Sequence, residues 1–267
     1  MKLTRRAALD GAQLDEIDSR ILIQSIEPAS GKDQLNTVSL WGGVGSRVTN
    51  EHRDSLDVVV KYSLDMKHAL YAERNEVLEQ VAAWAMKGGW LTISQKPDRH
   101  LKVFCAQLPA DGDQMEWTNR YSITFRACGV PYWQEERASQ LRLNGVRNVS
   151  RQFGVGGTRE TVMEAAFTNT SGSTVNQIDL TAGSSAFHLR GLGLANGETL
   201  KIDHDDDGKK CVLRIRIQGT GGAWRSALDK RTAESSDDLA VSPGIITVGM
   251  SAEANGTLLL ACAGRYA

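Results

Sequence analysis

Glu73-Arg74-Asn75-Glu76-Val77-Leu78-Glu79-Gln80-Val81-Ala82-Ala83-Trp84-Ala85-Met86-Lys87-Gly88-Gly89-Trp90-Leu91-Thr92-Ile93-Ser94 is the stretch on which the fold turns. Val77, Leu78, Val81, Trp84 and Ala85 recur at helical spacing and form one apolar stripe. Glu73 and Glu76 suit the positive N-terminal end of the helix dipole, and Lys87 suits its negative end. The expected helix runs from Glu73 to Lys87. Gly88-Gly89 then ends it, because glycine takes the left-handed cap without steric cost. The apolar stripe is expected to pack on a sheet of its own domain.

Around this one helix the first half reads as strands. Leu56, Val58, Val60, Tyr62 and Leu64 alternate with Asp57, Val59, Lys61 and Ser63, a period of two with one buried face. Leu101–Ala106 reads the same way. In Tyr121–Ala127, residues Tyr121, Ile123, Phe125 and Ala127 share a face. Ile21–Ile23 and Thr37–Leu40 carry a weaker strand signal. The second half shows no convincing helix. Its expected strands are Glu160–Phe167, Val175–Leu180, Ala186–Arg190, Thr199–Ile202, Cys211–Ile217, Gly244–Met250 and Gly256–Ala263. Ser171-Gly172, Ala195-Asn196-Gly197, Asp207-Gly208, Thr220-Gly221-Gly222 and Asn255-Gly256 are the turn signals between them. About seven short, evenly spaced strands imply a sandwich or jelly roll. The chain is therefore mostly β.

The halves differ in composition. Five of the six tryptophans and four of the five prolines lie in residues 1–135, and seventeen of the 26 glycines lie beyond. The join is placed in the polar stretch Gln134–Ser139, giving domains 1–137 and 138–267. With 267 residues the chain suits two ordinary domains. Its 31 basic and 32 acidic side chains leave a formal charge of −1, which excludes a global field for nucleic acid or an anionic membrane. No apolar run reaches the ~18 residues of a membrane helix. The basic start Met1–Asp10 has no apolar core of the kind a secretory leader needs. Cys105, Cys128, Cys211 and Cys262 are too widely spaced for a zinc site, and their spacing suits buried thiols in a reduced compartment.

Few motifs carry chemistry. Asp203-His204-Asp205-Asp206-Asp207-Gly208 matches the front of a calcium loop, with Asp203, Asp205 and Asp207 as the ligands. Arg214 stands where that loop needs its bidentate glutamate, and the flanks read as strands, so a solvated hairpin tip is the main expectation. Gly154-Val155-Gly156-Gly157 and Gly191-Leu192-Gly193-Leu194 lack the residues of a phosphate loop and are read as turns or bulges. The five histidines form no metal or nucleophile pattern, so no catalytic residue, cofactor or enzyme activity is assigned. Trp224, in Gly222-Ala223-Trp224-Arg225, is read as a loop residue that lids the core or, if exposed, contacts a sugar or a protein. Asn148, Asn169 and Asn255 match the glycosylation triplet by chance.

Several blocks together resemble a known family. They are Trp41-Gly42 through Leu56-Asp57-Val58-Val59-Val60, the helix with Gly88-Gly89-Trp90-Leu91-Thr92-Ile93-Ser94, Pro97-Asp98-Arg99-His100-Leu101-Lys102-Val103, and Glu116-Trp117-Thr118 to Pro131-Tyr132-Trp133-Gln134-Glu135. In this order they resemble the distal tail protein (Dit) of long-tailed, non-contractile bacteriophages and their prophages. The likeness covers residues 14–135. It continues more loosely through Leu189–Leu194, Gly197–Asp203, Asp237-Asp238-Leu239 and Ser242-Pro243-Gly244. Ile245-Ile246 stands where the family has an Asn soon after that Pro-Gly.

The resemblance implies an N-terminal ring-forming β-sandwich or split barrel with one flanking helix, and a C-terminal galectin-like or carbohydrate-module-like β-sandwich. It implies a virion protein at the tail tip, made in the bacterial host. Six copies would form a ring joining the tail tube protein to the tail-tip, lysin-bearing protein, and to receptor-binding protein. DNA would pass through the lumen without specific binding. Segments 41–57 and 105–120 are the expected ring contacts. Galectins bind sugar through His, Asn, Arg and Trp on neighbouring strands. Here His188 and Arg190 supply two of these types, but no matching Trp-Gly-x-Glu follows, so galactose binding is not implied. The alternatives are a carbohydrate-binding adhesin and a tail tube subunit.

Overall fold

The computed structural model describes residues 5–28, 33–39, 46–53, 56–65, 71–109, 120–206 and 211–266. The chain divides into two compact units, Met1–Trp133 and Gln134–Tyr266, with Ala267 assigned to the first.

In the first unit the strands are β1 (Ala7–Leu9), β2 (Ala12–Gln13), β3 (Ile21–Pro28), β4 (Asp33–Ser39), β5 (Ser46–Arg53) and β6 (Asp57–Leu64). After helix α1 (Tyr71–Met86) come β7 (Gly89–Ile93), β8 (Lys96–Gln107), β9 (Arg120–Ala127) and β10 (Trp133–Glu135). The main sheet has the order β2-β1-β7-β8-β9-β6-β3. Its centre is the expected alternation: Val58 faces Phe125, Val60 faces Ile123 and Tyr62 faces Tyr121 across β6 and β9, all buried. Tyr62 and Tyr121 stack with ring centroids 5.4 Å apart, and burial pushes the Tyr62 hydroxyl well above its ordinary pKa.

The stripe on α1 lies on this sheet as expected. Val77, Val81, Trp84 and Ala85 are buried, and the Trp84 ring meets Phe125 edge-on at 5.8 Å. Its indole N–H donates to the carbonyl of Ala12 at 2.9 Å, which ties the helix to the β1–β2 hairpin. Lys87 falls one residue beyond the helix rather than in its last turn. Gly88 takes φ +62°, and a Cβ there would sit 2.8 Å from the Val103 carbonyl oxygen, so both conformation and space call for glycine. Strands β4 and β5 form a separate two-stranded sheet. At ~3.3 Å per residue this hairpin is about 25 Å long. Residues 41–45, 54–55 and 110–119, within the expected ring contacts, lie outside the described residues.

The second unit departs from the expectation of uniformly short strands. Its elements are β11 (Ser139–Val155), β12 (Thr161–Asn169), β13 (Val175–Ala182), β14 (Ser185–Leu194), β15 (Thr199–Asp206), β16 (Cys211–Gln218), β17 (Trp224–Ser226), β18 (Ala240–Val241), β19 (Gly244–Cys262) and β20 (Arg265–Tyr266). The expected strands Gly244–Met250 and Gly256–Ala263 are one strand, β19. Strand β11 runs antiparallel beside it and was not visible in the sequence, because its outward polar residues and Gly145 mask the alternation. Asn255-Gly256 is therefore not a turn between strands.

This long pair builds both layers of a sandwich. The first part of β19 pairs with β13, and β13 with β14; we call this layer sheet one. The later part of β19 pairs with β12, followed by β15, β16 and β17; this is sheet two. Register shifts in β11 at Leu143/Val146 and Val146/Asn148 mark where the pair bends from one layer to the other. At that bend Gly256 is required by space alone. A Cβ there would lie 2.2 Å from the Phe167 ring and 2.5 Å from the Thr168 carbonyl oxygen. One apolar cluster fills the interior, with Phe187 and Leu189 from sheet one and Phe167, Ile202, Ile215 and Ile217 from sheet two. Gly191 and Gly193, both at positive φ, occupy an irregular stretch of β14 opposite the β13 register shift, the bulge expected of them.

The edge of β14 is covered by the segment that follows β17. The backbone N–H of His188 donates to Ser235 Oγ at 2.9 Å and that of Ala186 to Ser236 Oγ at 2.9 Å. Thr232 and Ser236 donate their own N–H groups to the carbonyls of His188 and Ala186. Serine hydroxyls thus complete an edge that would otherwise invite another strand.

Candidate functional site

The outer face of sheet two is the most organised polar surface among the described residues. Leu200 and Ile202 on β15, and Ile215 and Ile217 on β16, point into the core. Strand alternation then puts Lys201 and Asp203, and Arg214 and Arg216, on the opposite face. Asp203 and Arg214 are directly opposed, as are Lys201 and Arg216. The carboxylate of Asp203, only 2% exposed, gathers all three cations: Lys201 at 2.9 Å, Arg216 at 2.7 Å and Arg214 at 3.3 Å. Burial alone pushes its pKa up. The hydrogen bonds from Lys201 and Arg216, with help from Arg214, outweigh this and hold the carboxyl below its ordinary value.

Trp224 extends this cluster. The tight turn expected at Thr220-Gly221-Gly222 is present, with Gly219 N–H donating to the Ala223 carbonyl at 2.8 Å. It folds β17 back on β16, opposing Trp224 to Gln218 and Ser226 to Arg216. Trp224 is thus the first residue of an edge strand rather than a loop lid, and it is 43% exposed. Its ring lies 4.1 Å from the Arg216 guanidinium carbon, a cation–π stack. The neighbouring Arg225 grips Glu198 with two nitrogens at 2.5 and 2.8 Å and also donates to the Gly193 carbonyl.

His188 and Arg190 lie elsewhere. They stand on the outer face of sheet one, since their neighbours Phe187 and Leu189 are fully buried. Both engage a single oxygen of Asp179, at 2.7 Å each. Burial raises the Asp179 pKa, and the bonds from His188 and Arg190 more than reverse that. The three residues read together from the sequence as contacts therefore divide between the two outer faces of the sandwich.

Of the acidic loop, Asp203 is accounted for above, and it is buried rather than solvated. The side chain of Asp205, and Asp207 altogether, lie outside the described residues. Among the described residues no group of three or more His, Cys, Asp or Glu is placed to hold a metal. No helix among them is long and apolar enough to cross a membrane. Asn169 is fully buried, donating to the carbonyls of Ser173 and Leu194 and accepting from Ser171, so its glycosylation triplet is a structural turn. Of the thiols, Cys105 and Cys128 are half-buried and Cys262 buried; burial pushes Cys262 up to about 11.

Sequence reading singled out Trp224 but missed Lys201 and Arg216, the residues that organise its surroundings. The Lys-x-Asp of 201–203 and the Arg-x-Arg of 214–216 were the available signal. Strand alternation puts each pair on one face, but only the hairpin register brings the two pairs together.

No protein-family model matches the chain, and no curated protein matches it. Among solved structures, the Dit protein of phage SPP1 superposes with a TM-score of 0.67 at 12% identity. The match covers 96% of this chain and 98% of that one. That protein is described as a paradigm of the hub adsorption apparatus in phages infecting Gram-positive bacteria. A chain of the phage p2 baseplate in its activated conformation with strontium aligns over 97% of both chains at 8% identity, with a TM-score of 0.49. The first of these likenesses shows a shared fold over nearly the whole of both chains. The second is too loose to carry an argument.

Proposed function

We propose that this chain is a distal tail (Dit) hub protein of a bacteriophage or prophage. In this reading six copies form a ring that joins the tail tube to the tip and receptor-binding proteins, at the tail tip of the virion. The carrying observation is the likeness to SPP1 Dit over 96% of one chain and 98% of the other. The match takes in both units of the chain rather than one alone. The sequence blocks between residues 14 and 135 point to the same family independently of the fold.

Physical features of the first unit fit ring assembly. Its sheet ends in β3 on one side and β2 on the other. Two different edges on one subunit suit the head-to-tail contacts from which closed rings are built. Leu22 on β3 is about half exposed, an apolar group at the edge where a neighbour would seat. The β4–β5 hairpin, separate from the main sheet, offers reach toward an adjacent copy. Segments 41–57 and 105–120 are proposed as further contacts. A formal charge of −1 per copy lets six pack without strong self-repulsion. It also leaves no global attraction to hold DNA in a lumen. The reading is non-enzymatic: the polar clusters described above are ion pairs and caps, with no nucleophile–base pair among them.

Light scattering on the purified chain, with negative-stain electron microscopy, tests the proposal. The expected result is a mass near six times 29.1 kDa and single rings with a central hole. A monomer at high concentration with no rings refutes it, and stacked tubes favour a tail tube subunit.

A further inference from the structure

We propose that the outer face of sheet two, around Trp224, binds a saccharide that carries an anionic group. The inference concerns the second unit alone and does not depend on ring assembly.

The site is built outward from a buried anchor. Asp203, almost inaccessible to solvent, holds Arg216 at 2.7 Å, and Arg216 lies against the Trp224 ring. The indole is thereby set in place before any ligand arrives. Orienting a large side chain in advance removes part of the ordering cost of binding. The ring is nevertheless 43% exposed. It packs against a guanidinium instead of the sandwich core, so it is not needed as a lid. An exposed aromatic of this kind offers a broad apolar face that the C–H groups of a pyranose ring can cover.

The surroundings supply the polar half of the recognition. Three cations, Lys201, Arg214 and Arg216, meet one carboxylate. The cluster itself is therefore positive, although the whole chain is close to neutral. Guanidinium and ammonium groups are hydrogen-bond donors only, suited to the oxygens of a carboxylate or phosphate and to sugar hydroxyls. Register extends the same face across the sheet. Lys201 pairs with Ala166 on β12, and Ala166 pairs with Leu259 on β19. Ala166 keeps the floor beside Lys201 low, and the partly exposed Leu259 beyond it adds an apolar side chain to the same face.

A rigid ring with one apolar face and a rim of oxygens, one of them ionised, matches this layout. An acidic peptide matches the charge but lacks the rigid face that a pinned, exposed indole calls for. The carboxylate of a uronic acid and the phosphate of a polyol phosphate share the relevant chemistry, and binding measurements separate them.

The test uses the full chain in biolayer interferometry. Glucuronic-acid oligomers and glycerol-phosphate oligomers are the probes, with neutral glucose oligomers and poly-glutamate as comparisons. Binding of either anionic probe in preference to both comparisons is expected, weakening with salt. Trp224→Ala should reduce it about tenfold with little change in melting temperature, because the ring is outside the core. Lys201→Gln should flatten the salt dependence. Preference for the uronate identifies a carboxylate ligand, and preference for the glycerol phosphate identifies a phosphate ligand. The proposal is overturned by no binding of either probe, by unchanged binding in Trp224→Ala, or by poly-glutamate binding as tightly as the saccharides.

Discussion

Replacing Asp203 with asparagine tests whether one buried carboxylate organises the outer face of sheet two. Asparagine keeps the shape and removes the charge. Lys201, Arg214 and Arg216 then lose their shared partner, and Lys201 and Arg216, directly opposed on β15 and β16, are left as a like-charged cross-strand pair, which is destabilising. Breaking a buried ion pair by deleting one partner costs ~3–5 kcal/mol when the survivor stays buried. Here the three cations retain a quarter to a third of their side-chain exposure, so water recovers part of the loss. The expected cost is about 2 kcal/mol. For a chain of this size that is roughly 4–8 °C in Tm.

The pH dependence has a definite sign. The folded pKa of Asp203 is lowered, so its stabilisation is fully present above the ordinary carboxylate range near 3.9. It is lost as pH falls through the lowered folded value. Asparagine cannot titrate. The gap between the two proteins should hold steady from pH 7 to about 5 and close at strongly acid pH, where Asp203 is neutral too. Thermal melts and urea titrations across that range measure it. Equal stability at pH 7, or a gap that persists unchanged into strong acid, would refute the reasoning.

Two further substitutions address the fold that carries the site. Gly256→Ala forces a methyl into the Phe167 ring and the Thr168 carbonyl and should cost about 3 kcal/mol. Phe167→Leu added to it should recover only part of the loss, since the backbone clash remains; an unperturbed urea midpoint in the single variant counts against the described bend. Trp84→Ala removes both the Phe125 contact and the hydrogen bond to Ala12. It should cost about 3–5 kcal/mol, seen as an early unfolding transition, and a wild-type melt would mean that α1 does not pack as described.

Period-two and helical patterns made much of this protein readable without coordinates. Leu56 to Leu64, Tyr121 to Ala127 and the stripe on α1 each declare a buried face locally, because side-chain direction in a strand or helix follows from spacing alone. The two glycines after the helix are legible for the same reason. Strand β11 was not: its inward residues are diluted by polar ones and glycine, and it is held as a strand by β19, over a hundred residues away. The reading of Asn255-Gly256 as a turn failed because Asn-Gly specifies a turn only when nothing outside the segment needs an extended chain. Here the Phe167 ring and the Thr168 carbonyl leave room only for glycine within a continuous strand.

The site divides along the same line. Sequence alone determined a mostly β chain with one helix, the near-neutral charge, and Trp224 as the one tryptophan of the second half. Tertiary structure alone decided that His188 and Arg190 lie on the opposite face from it, and that Arg216, steadied by Asp203, is its neighbour. Local patterns report which face of an element is buried. Which elements share a face depends on register and on the long β11–β19 pair, and those are set by contacts between residues far apart in the chain.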